Sequence, residues 1–174
     1  MKTKKIVLSG LFIALGIIVP TIFHSVNLAG AIFLPMHIPV ILGGFLLGPA
    51  CGAVIGFITP IICGLLTGMP PIMPTMPIMA LELCGYGFFA GFLYEKSNKI
   101  FISLIGSMIF GRICAMVGAF ILSVSFAPQV TPIPYIIAAV TNGLPGIIIQ
   151  LILIPVMVKF LVRNPETSKI LNVH

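Results

Sequence analysis

The sequence predicts an all-α integral membrane protein with six transmembrane helices and both termini in the cytoplasm. Of its 174 residues, 59% are hydrophobic and only 7% are charged, and the mean hydropathy is +1.25. A soluble domain carries about a quarter charged residues, so this chain has too little polar surface to cover a water-soluble fold. Its apolar runs are long and continuous, which favours helices over the short alternating segments of a barrel.

The apolar runs predict six helices within a single membrane domain that covers residues 1–174. The helices occupy residues 6–23, 37–47, 50–66, 77–94, 100–124 and 134–161. About 20 apolar residues span the hydrocarbon layer, and most of the runs approach that length. The first run follows three lysines, as a signal peptide does, but no small-residue cleavage site follows it, so we interpret it as a transmembrane helix. The second run is short because proline disfavours helical geometry in the residue before it, which here is Gly48 before Pro49.

Three segments between the helices are predicted to lie outside the cell. Residues 24–36 and 125–133 carry no charged side chain. Residues 67–77 contain four prolines and three methionines. The prolines forbid a continuous helix, and the methionines are apolar and adaptable. This proline-rich loop is therefore either a stiff external turn or a lid that packs against a bound ligand.

The basic residues determine the predicted orientation. Eight of the nine Lys and Arg residues fall in segments that this topology assigns to the cytoplasm, as the positive-inside rule requires, and the ninth is Arg112. Because the eight are spread over both ends of the chain and one short turn, the net charge of +6 does not indicate a nucleic-acid-binding face. They are Lys2, Lys4, Lys5, Lys96, Lys99, Lys159, Arg163 and Lys169.

Enzyme chemistry has little support in the sequence. The phosphate-binding pattern GxxxxGK[ST] is absent, as are HExxH and GxSxG, and the three histidines are far apart. The four cysteines fall within apolar runs without a CxxC pair, which is typical of small buried hydrophobic residues. The acidic residues are Glu82, Glu95 and Glu166, and two of them lie at the cytoplasmic boundary. We therefore predict no enzymatic activity, and no metal or cofactor bound by this chain.

Three polar residues interrupt the apolar runs and are the principal candidates for a binding site: Glu82, Arg112 and Asn142. A charge at the centre of a transmembrane helix costs about 3 kcal/mol on insertion scales, so it usually faces a cavity or a partner. At 1.5 Å per residue, Glu82 lies about 8 Å below the outer end of its helix, and Asn142 about 12 Å below the outer end of its own. Arg112 lies about 18 Å above the inner end of its helix. The three are predicted to meet in the outer half of the bilayer.

The predicted proximity of these polar residues has two interpretations, which are compatible with each other. Glu82 and Arg112 could form a structural ion pair that locks two helices together. Alternatively, Arg112 anchors an anionic ligand in an outward-facing cavity, since a guanidinium binds a carboxylate through two hydrogen bonds. Glu82, Asn142 and His37 would then supply orienting hydrogen bonds. His37 begins its helix at the outer surface, where a role at the membrane interface is also open, and Gln150 lies deeper on the last helix.

Small residues recur four positions apart, a spacing that lets helix backbones approach closely in lipid. For most of these sets we predict packing within the chain. The first pair differs, because it lies near the cytoplasmic face of the terminal helix, where a partner could reach it. The sets are Gly10 and Ala14; Gly48, Gly52 and Gly56; Gly87 and Gly91; and Gly111, Ala115 and Ala119.

Taken together, these features resemble the substrate-binding S component of energy-coupling factor (ECF) vitamin transporters. The shared features are six helices in fewer than 200 residues, a short second helix ending in Leu-Gly-Pro, and a proline-rich external loop. The stretch that carries the resemblance runs from His37 to Pro49 and continues through residues 66–71 to Glu82. The likeness covers essentially the whole chain, which also resembles the subgroup of pantothenate and hydroxymethylpyrimidine or pyridoxine carriers.

The resemblance implies a mechanism and a set of partners. An S component captures a vitamin from outside, docks on a transmembrane coupling subunit bearing two ATPases that use the ATP, and is thought to topple to release its cargo inside. The family's first helix carries an AxxxA docking motif, which Gly10 and Ala14 match with glycine in the first position. The loop that contains Asn27 and the proline-rich loop match the family's gates over the site. The resemblance also implies the plasma membrane of a prokaryote.

The charged residues bear on the cargo and on the competing functions. Arg112 favours a carboxylate-bearing cargo such as pantothenate, whereas Glu82 would suit a pyrimidine or pyridoxine; if the two residues pair, neither inference holds. A stand-alone channel or facilitator would need a polar path, yet the inner halves of the helices carry few polar residues beyond Gln150. A purely structural membrane subunit would not explain why Arg112 and Glu82 are predicted at one depth.

Overall fold

The computed structural model describes residues 2–25, 30–125 and 131–163, and these residues form helices joined by short turns. Within the described ranges the chain has eight helices and no strand, which confirms the all-helical prediction. Five of the helices match predicted ones closely. The eight are α1 (Lys2–Ser25), α2 (Gly30–Phe33), α3 (His37–Leu47), α4 (Pro49–Thr67), α5 (Thr75–Ser97), α6 (Ile100–Ser125), α7 (Pro132–Asn142) and α8 (Leu144–Arg163).

The predicted sixth helix, residues 134–161, is divided in the structure into α7 and α8. The break lies at Gly143, whose backbone N–H donates to the Ala139 carbonyl oxygen and closes the last turn of α7. Pro145 then stands in the first turn of α8, where its missing N–H costs nothing. The predicted outer loop 24–36 also contains a short helix, α2.

Among the described helices, five are long and apolar enough to cross a membrane: α1, α4, α5, α6 and α8. α3 is apolar but has 11 residues and is about 16 Å long, roughly half the thickness of the hydrocarbon layer. Several long helices of this kind identify a multi-pass membrane protein. Six complete spans remain a prediction.

α5 occupies the centre of the bundle, where it packs against α3, α4 and α6. Its close approach to α3 and α4 depends on glycine, since a Cβ atom on Gly44 or Gly52 would overlap the Gly87 carbonyl oxygen. The buried core lies along these helices and includes Val40, Ile41, Leu83 and Tyr86. This packing fixes the orientation of α5 relative to its neighbours.

The ends of the helices show which basic residues share one side of the bundle. The Lys5 ammonium donates a hydrogen bond of 2.9 Å to the Leu47 carbonyl oxygen, and Glu95 lies beside Gly48. The start of α1, the α3–α4 turn and the end of α5 therefore lie together. The start of α8 lies at the opposite end of the bundle, where Gly146 packs on the backbone of Phe33. Because α8 runs from there to Arg163, Arg163 lies towards the side that carries the lysines.

Candidate functional site

Glu82 and Arg112 meet inside the bundle, as the depth argument predicted. Glu82 lies about 11 Å along α5 from Thr75, and Arg112 lies about 18 Å along α6 from Ile100. Because the two helices pack side by side, Nη1 of Arg112 approaches Oε1 of Glu82 to 2.6 Å. The side chains are 13% and 6% exposed, respectively. The contact is an ion pair removed from water.

His37 belongs to the same group, because its ring points into the bundle from the first residue of α3. Its Nε2 lies 3.5 Å from Oε1 of Glu82, and its ring packs edge-on against Tyr86 with the ring centroids 5.0 Å apart. The residue is 1% exposed. The structure therefore buries His37 beside the ion pair, whereas the sequence analysis also left open a role at the membrane interface.

Several polar atoms of this group have no hydrogen-bond partner within the described residues, although they are buried. They include both ring nitrogens of His37 and the Nε and Nη2 atoms of Arg112. Oε1 of Glu82 lies close to Nη1 of Arg112, but the angles of this contact are not those of a hydrogen bond. Buried polar groups are normally satisfied, and each exception needs an explanation such as an absent ligand or water. Arg112 thus retains free donors after pairing with Glu82.

A cavity of about 400 Å³ opens beside Arg112, between α6 and the α7–α8 region. This volume lies within the range of small-molecule sites. Arg112 is its charged lining residue, and Tyr86 also lines it. The other lining residues are apolar: Met108, Ile109, Ile113, Met116, Ile136, Val140 and Ile147.

Tyr86 was missed by the sequence analysis. It lies four residues after Glu82, so both side chains project from the same face of α5. It is 1% exposed, touches His37 and lines the cavity with Arg112. The spacing from Glu82 was the signal that could have identified it.

The two other predicted ligand residues within the described ranges form no ion pair or hydrogen bond with Glu82 or Arg112. Asn142 ends α7 and is exposed, and no hydrogen bond joins it to Glu82 or Arg112 in the described structure. Gln150 is 1% exposed on α8, its Nε2 lacks a hydrogen-bond partner, and it does not line the cavity. Asn27 lies outside the described residues. The structure brings His37 to the pair but does not bring Asn142 there.

The proline-rich loop turns back on the end of α4. The Thr67 hydroxyl donates to the Cys63 carbonyl oxygen at 2.7 Å, and Gly68 takes a left-handed conformation with φ +75°. The side chains of Met69, Ile72 and Met73 are exposed. Whether the loop is a stiff turn or a lid remains a prediction.

The predicted docking pair, Gly10 and Ala14, lies on an exposed face of α1. A Cβ atom added to Gly10 would meet nothing within 4 Å, and Ala14 is also exposed. Large apolar residues surround the pair on this face: Ile6, Val7, Leu11, Leu15, Ile18 and Ile22. The face has no partner within the described chain.

A second groove, of about 330 Å³, lies between α4, α5 and α6 and carries no charged residue. It is lined by Ala53, Leu81, Cys84, Gly85, Phe88, Phe89, Ile113, Cys114 and Val117. It therefore lacks the charged anchor of the first cavity. No group of three or more His, Cys, Asp or Glu side chains that could hold a metal ion occurs in the described part of the chain.

Comparison with known proteins gives one match. The family model described as "ECF transporter, substrate-specific component" matches residues 4–158, which is most of the chain. No curated protein and no solved structure matches the chain significantly.

Proposed function

This chain belongs to the family of ECF transporter substrate-specific components, and from this premise we propose that it binds a small carboxylate-bearing vitamin or vitamin precursor in the cavity beside Arg112. Membership makes it a substrate-binding subunit of a transporter and not an enzyme. What we propose beyond family membership is the identity of the cargo and the way in which the chain docks on its partners.

One observation carries the choice of ligand class: two buried nitrogens of Arg112, Nε and Nη2, have no hydrogen-bond partner, and Arg112 lines a cavity of ligand size. A guanidinium binds a carboxylate through two parallel hydrogen bonds, and such bonds are about twice as strong as those between neutral groups. A carboxylate bound there would satisfy donors that now lack partners. The phenol of Tyr86 could supply a further hydrogen bond from the same wall.

Pantothenate is the first candidate for the cargo. Its carboxylate would meet Arg112, and its dimethyl group suits a wall of isoleucine, methionine and valine. A hydroxymethylpyrimidine or pyridoxine is the alternative, because Glu82 could accept hydrogen bonds from an amine or a ring nitrogen. Because Glu82 already pairs with Arg112 at 2.6 Å, the preference for a carboxylate rests on the Arg112 nitrogens that have no partner.

The proposed partners are a transmembrane coupling subunit and two ATPases in the plasma membrane of a prokaryote. The exposed apolar face of α1 supports this proposal, because Gly10 and Ala14 leave a shallow open strip between larger side chains. Small residues in such a strip let a second helix approach closely in lipid. The partner ATPases would use the ATP.

A structural membrane subunit is the second candidate function, and the short Glu82–Arg112 contact favours it. Charged residues within membranes often pair with one another without binding anything. That function explains the pair but leaves the free donors of Arg112 and the adjoining cavity without a role. A stand-alone channel or facilitator differs in another respect, since it would transport without ATP.

Mass spectrometry of small molecules released from the detergent-purified protein tests the proposal. The best candidate is then titrated by calorimetry, with Arg112→Ala as the variant. Recovery of pantothenate would support the carboxylate site, and a pyrimidine or pyridoxine would move the ligand contacts to Glu82. No bound compound and no binding across the vitamins would contradict the proposal and favour the structural subunit. Co-purification with an ATPase module separates a transporter subunit from both other functions.

A further inference from the structure

Glu82 has two neighbours that could carry a positive charge. Its Oε1 lies 2.6 Å from Nη1 of Arg112 and 3.5 Å from Nε2 of His37. The three side chains come from α6, α5 and α3, and all are largely removed from solvent. With a neutral imidazole, the charges of Glu82 and Arg112 cancel and the group is neutral.

An anionic ligand would disturb this balance. A carboxylate on Arg112 adds one negative charge to a region in which Glu82 is already negative. An uncompensated charge in an apolar interior is unfavourable, so the group must gain a positive charge or lose a negative one. His37 can gain a positive charge, because an imidazole binds a proton near neutral pH.

We propose that a carboxylate ligand binds beside Arg112 together with one proton, which His37 takes up. This inference rests on the proposed function and names the residue that keeps the occupied site neutral. The ligand shares Arg112 with Glu82, the protonated His37 becomes a second cationic partner of Glu82, and the proton comes from the solvent. The ring nitrogens of His37, which have no hydrogen-bond partner, leave room for this change.

Apart from Glu82, the described ionisable groups that contact His37 or its helix cannot make the same compensation. Tyr86 touches His37 and carries a neutral phenol, which can lose a proton but not usefully gain one. Cys63 on α4 lies in the same buried core cluster as residues of α3, and its neutral thiol likewise cannot usefully gain a proton. Among the described side chains, the other titratable or charged groups on the helices that pack against α3 are Lys4 and Lys5 on α1, Cys51 on α4, Cys84, Tyr94, Glu95 and Lys96 on α5, and Lys159 and Arg163 on α8.

Of these, Lys5 and Glu95 lie at the end of α3 that is remote from His37, beside Leu47 and Gly48. Glu82 is the one competitor within reach, because a carboxylate can also take up a proton. Protonated Glu82 would neutralise the site without His37. The experiment must therefore distinguish these two acceptors.

Isothermal titration calorimetry in buffers of different ionisation enthalpy counts the protons taken up per ligand. The probes are pantothenate, biotin and nicotinate, each with one carboxylate, and the neutral alcohol panthenol is the matched control for pantothenate. We expect about one proton per bound carboxylate at neutral pH, and affinity that falls by up to about tenfold per unit rise in pH. Any binding of panthenol should be accompanied by no proton uptake.

Two variants identify the acceptor. His37→Gln should bind the carboxylate more weakly at neutral pH, with no proton uptake and little dependence on pH. Glu82→Gln removes the negative charge, so the carboxylate should bind without a proton while His37 is still present. Proton uptake that persists in His37→Gln would overturn the inference, since the proton would then reside on Glu82.

The wild-type titration decides the question even if neither variant folds. Carboxylate binding with no proton uptake would overturn this inference and leave the proposed function standing. Failure of all three carboxylates to bind would overturn the proposed carboxylate site, and this inference with it. The two failures therefore give different results in the same experiment.

Discussion

Gly87 on α5 packs directly on the backbone of Gly52 on α4, so that a Cβ atom on either residue would overlap the carbonyl oxygen of the other. Gly44 on α3 meets the same carbonyl oxygen of Gly87. Three helices therefore converge where side chains are absent. This contact holds α5 in the orientation that brings Glu82 and Tyr86 to the site.

Gly87→Ala should destabilise the protein by at least about 3 kcal/mol, the upper part of the range for overpacked cores. The cause is that backbone atoms, unlike side-chain ends, cannot move aside without separating α4 from α5. Thermal unfolding in detergent measures the effect. Gly10→Ala is the matched control, because nothing lies within 4 Å of its added Cβ and its stability should be unchanged. Equal stability of both variants would contradict the observed packing.

The small-residue pattern was a reliable guide to these contacts. The predicted packing within the chain is confirmed for Gly52, Gly56, Gly87, Gly91 and Gly111, each of which would clash with another helix if it carried a Cβ atom. Gly10, which we set apart from the others, faces open space. The sequence distinguished these cases because the first pair was predicted near the cytoplasmic face of the first helix, where a partner could reach it.

Helix limits were also predictable where the sequence contains strong local signals. Gly48-Pro49 ends α3 and starts α4, as expected from the restriction that proline imposes on its predecessor. The break at Gly143 was missed, although Asn142-Gly143 followed by Pro145 is a turn signal of the same kind. The residues on both sides of Gly143 are mostly apolar, so the segment was interpreted as one continuous helix.

The composition of the site was only partly predictable. Depth along a helix follows from residue number, which is why Glu82 and Arg112 were expected to meet and do. Rotation about the helix axis depends on how neighbouring helices pack, and the sequence does not specify it. For this reason the burial of His37 and the exposure of Asn142 became clear only in the structure.

Arg112→Ala should weaken carboxylate binding by about 1.5–3 kcal/mol, the range for a hydrogen bond to a charged group. The reason is the loss of the guanidinium, since Arg112 lines the cavity and two of its nitrogens have no hydrogen-bond partner. Calorimetric titration measures the change, and Arg163→Ala, at the exposed end of α8, is the control. Unchanged affinity in Arg112→Ala would exclude Arg112 as the anchor.

The same substitution should also lower stability, because it leaves Glu82 charged and unpaired in the interior. Removing one partner of a buried pair typically costs about 3–5 kcal/mol, whereas replacing both by apolar residues is often neutral. The double variant Glu82→Leu with Arg112→Leu should therefore unfold near the wild-type temperature and bind no carboxylate. If it remained as unstable as Arg112→Ala, the pair would be needed for the fold, which favours the structural subunit.

Gly10→Leu should abolish uptake and leave ligand binding intact. The added side chain would fill the open strip on α1 and prevent close approach of a partner helix, while the site near Glu82 lies on other helices. Uptake is measured in cells that contain the coupling module, and binding is measured on the purified protein. Ala138→Leu, an exposed position on α7, is the control and should transport normally. Equal loss of uptake and binding in Gly10→Leu would count against the docking role of Gly10.

Met116 and Val117 are neighbours on α6 that face different cavities, and they provide a direct test of which cavity holds the ligand. Met116 lines the cavity beside Arg112, and Val117 lines the groove without a charged residue.

Met116→Trp should fill part of the first cavity and weaken carboxylate binding at least tenfold, which corresponds to about 1.4 kcal/mol. Val117→Trp introduces the same side chain on the other side of the helix and should leave affinity unchanged, because no cationic anchor lies there. The chain contains no tryptophan of its own, so the fluorescence of each variant reports from a single position. A loss of affinity in Val117→Trp alone would place the ligand between α4, α5 and α6 and remove Arg112 from its binding site.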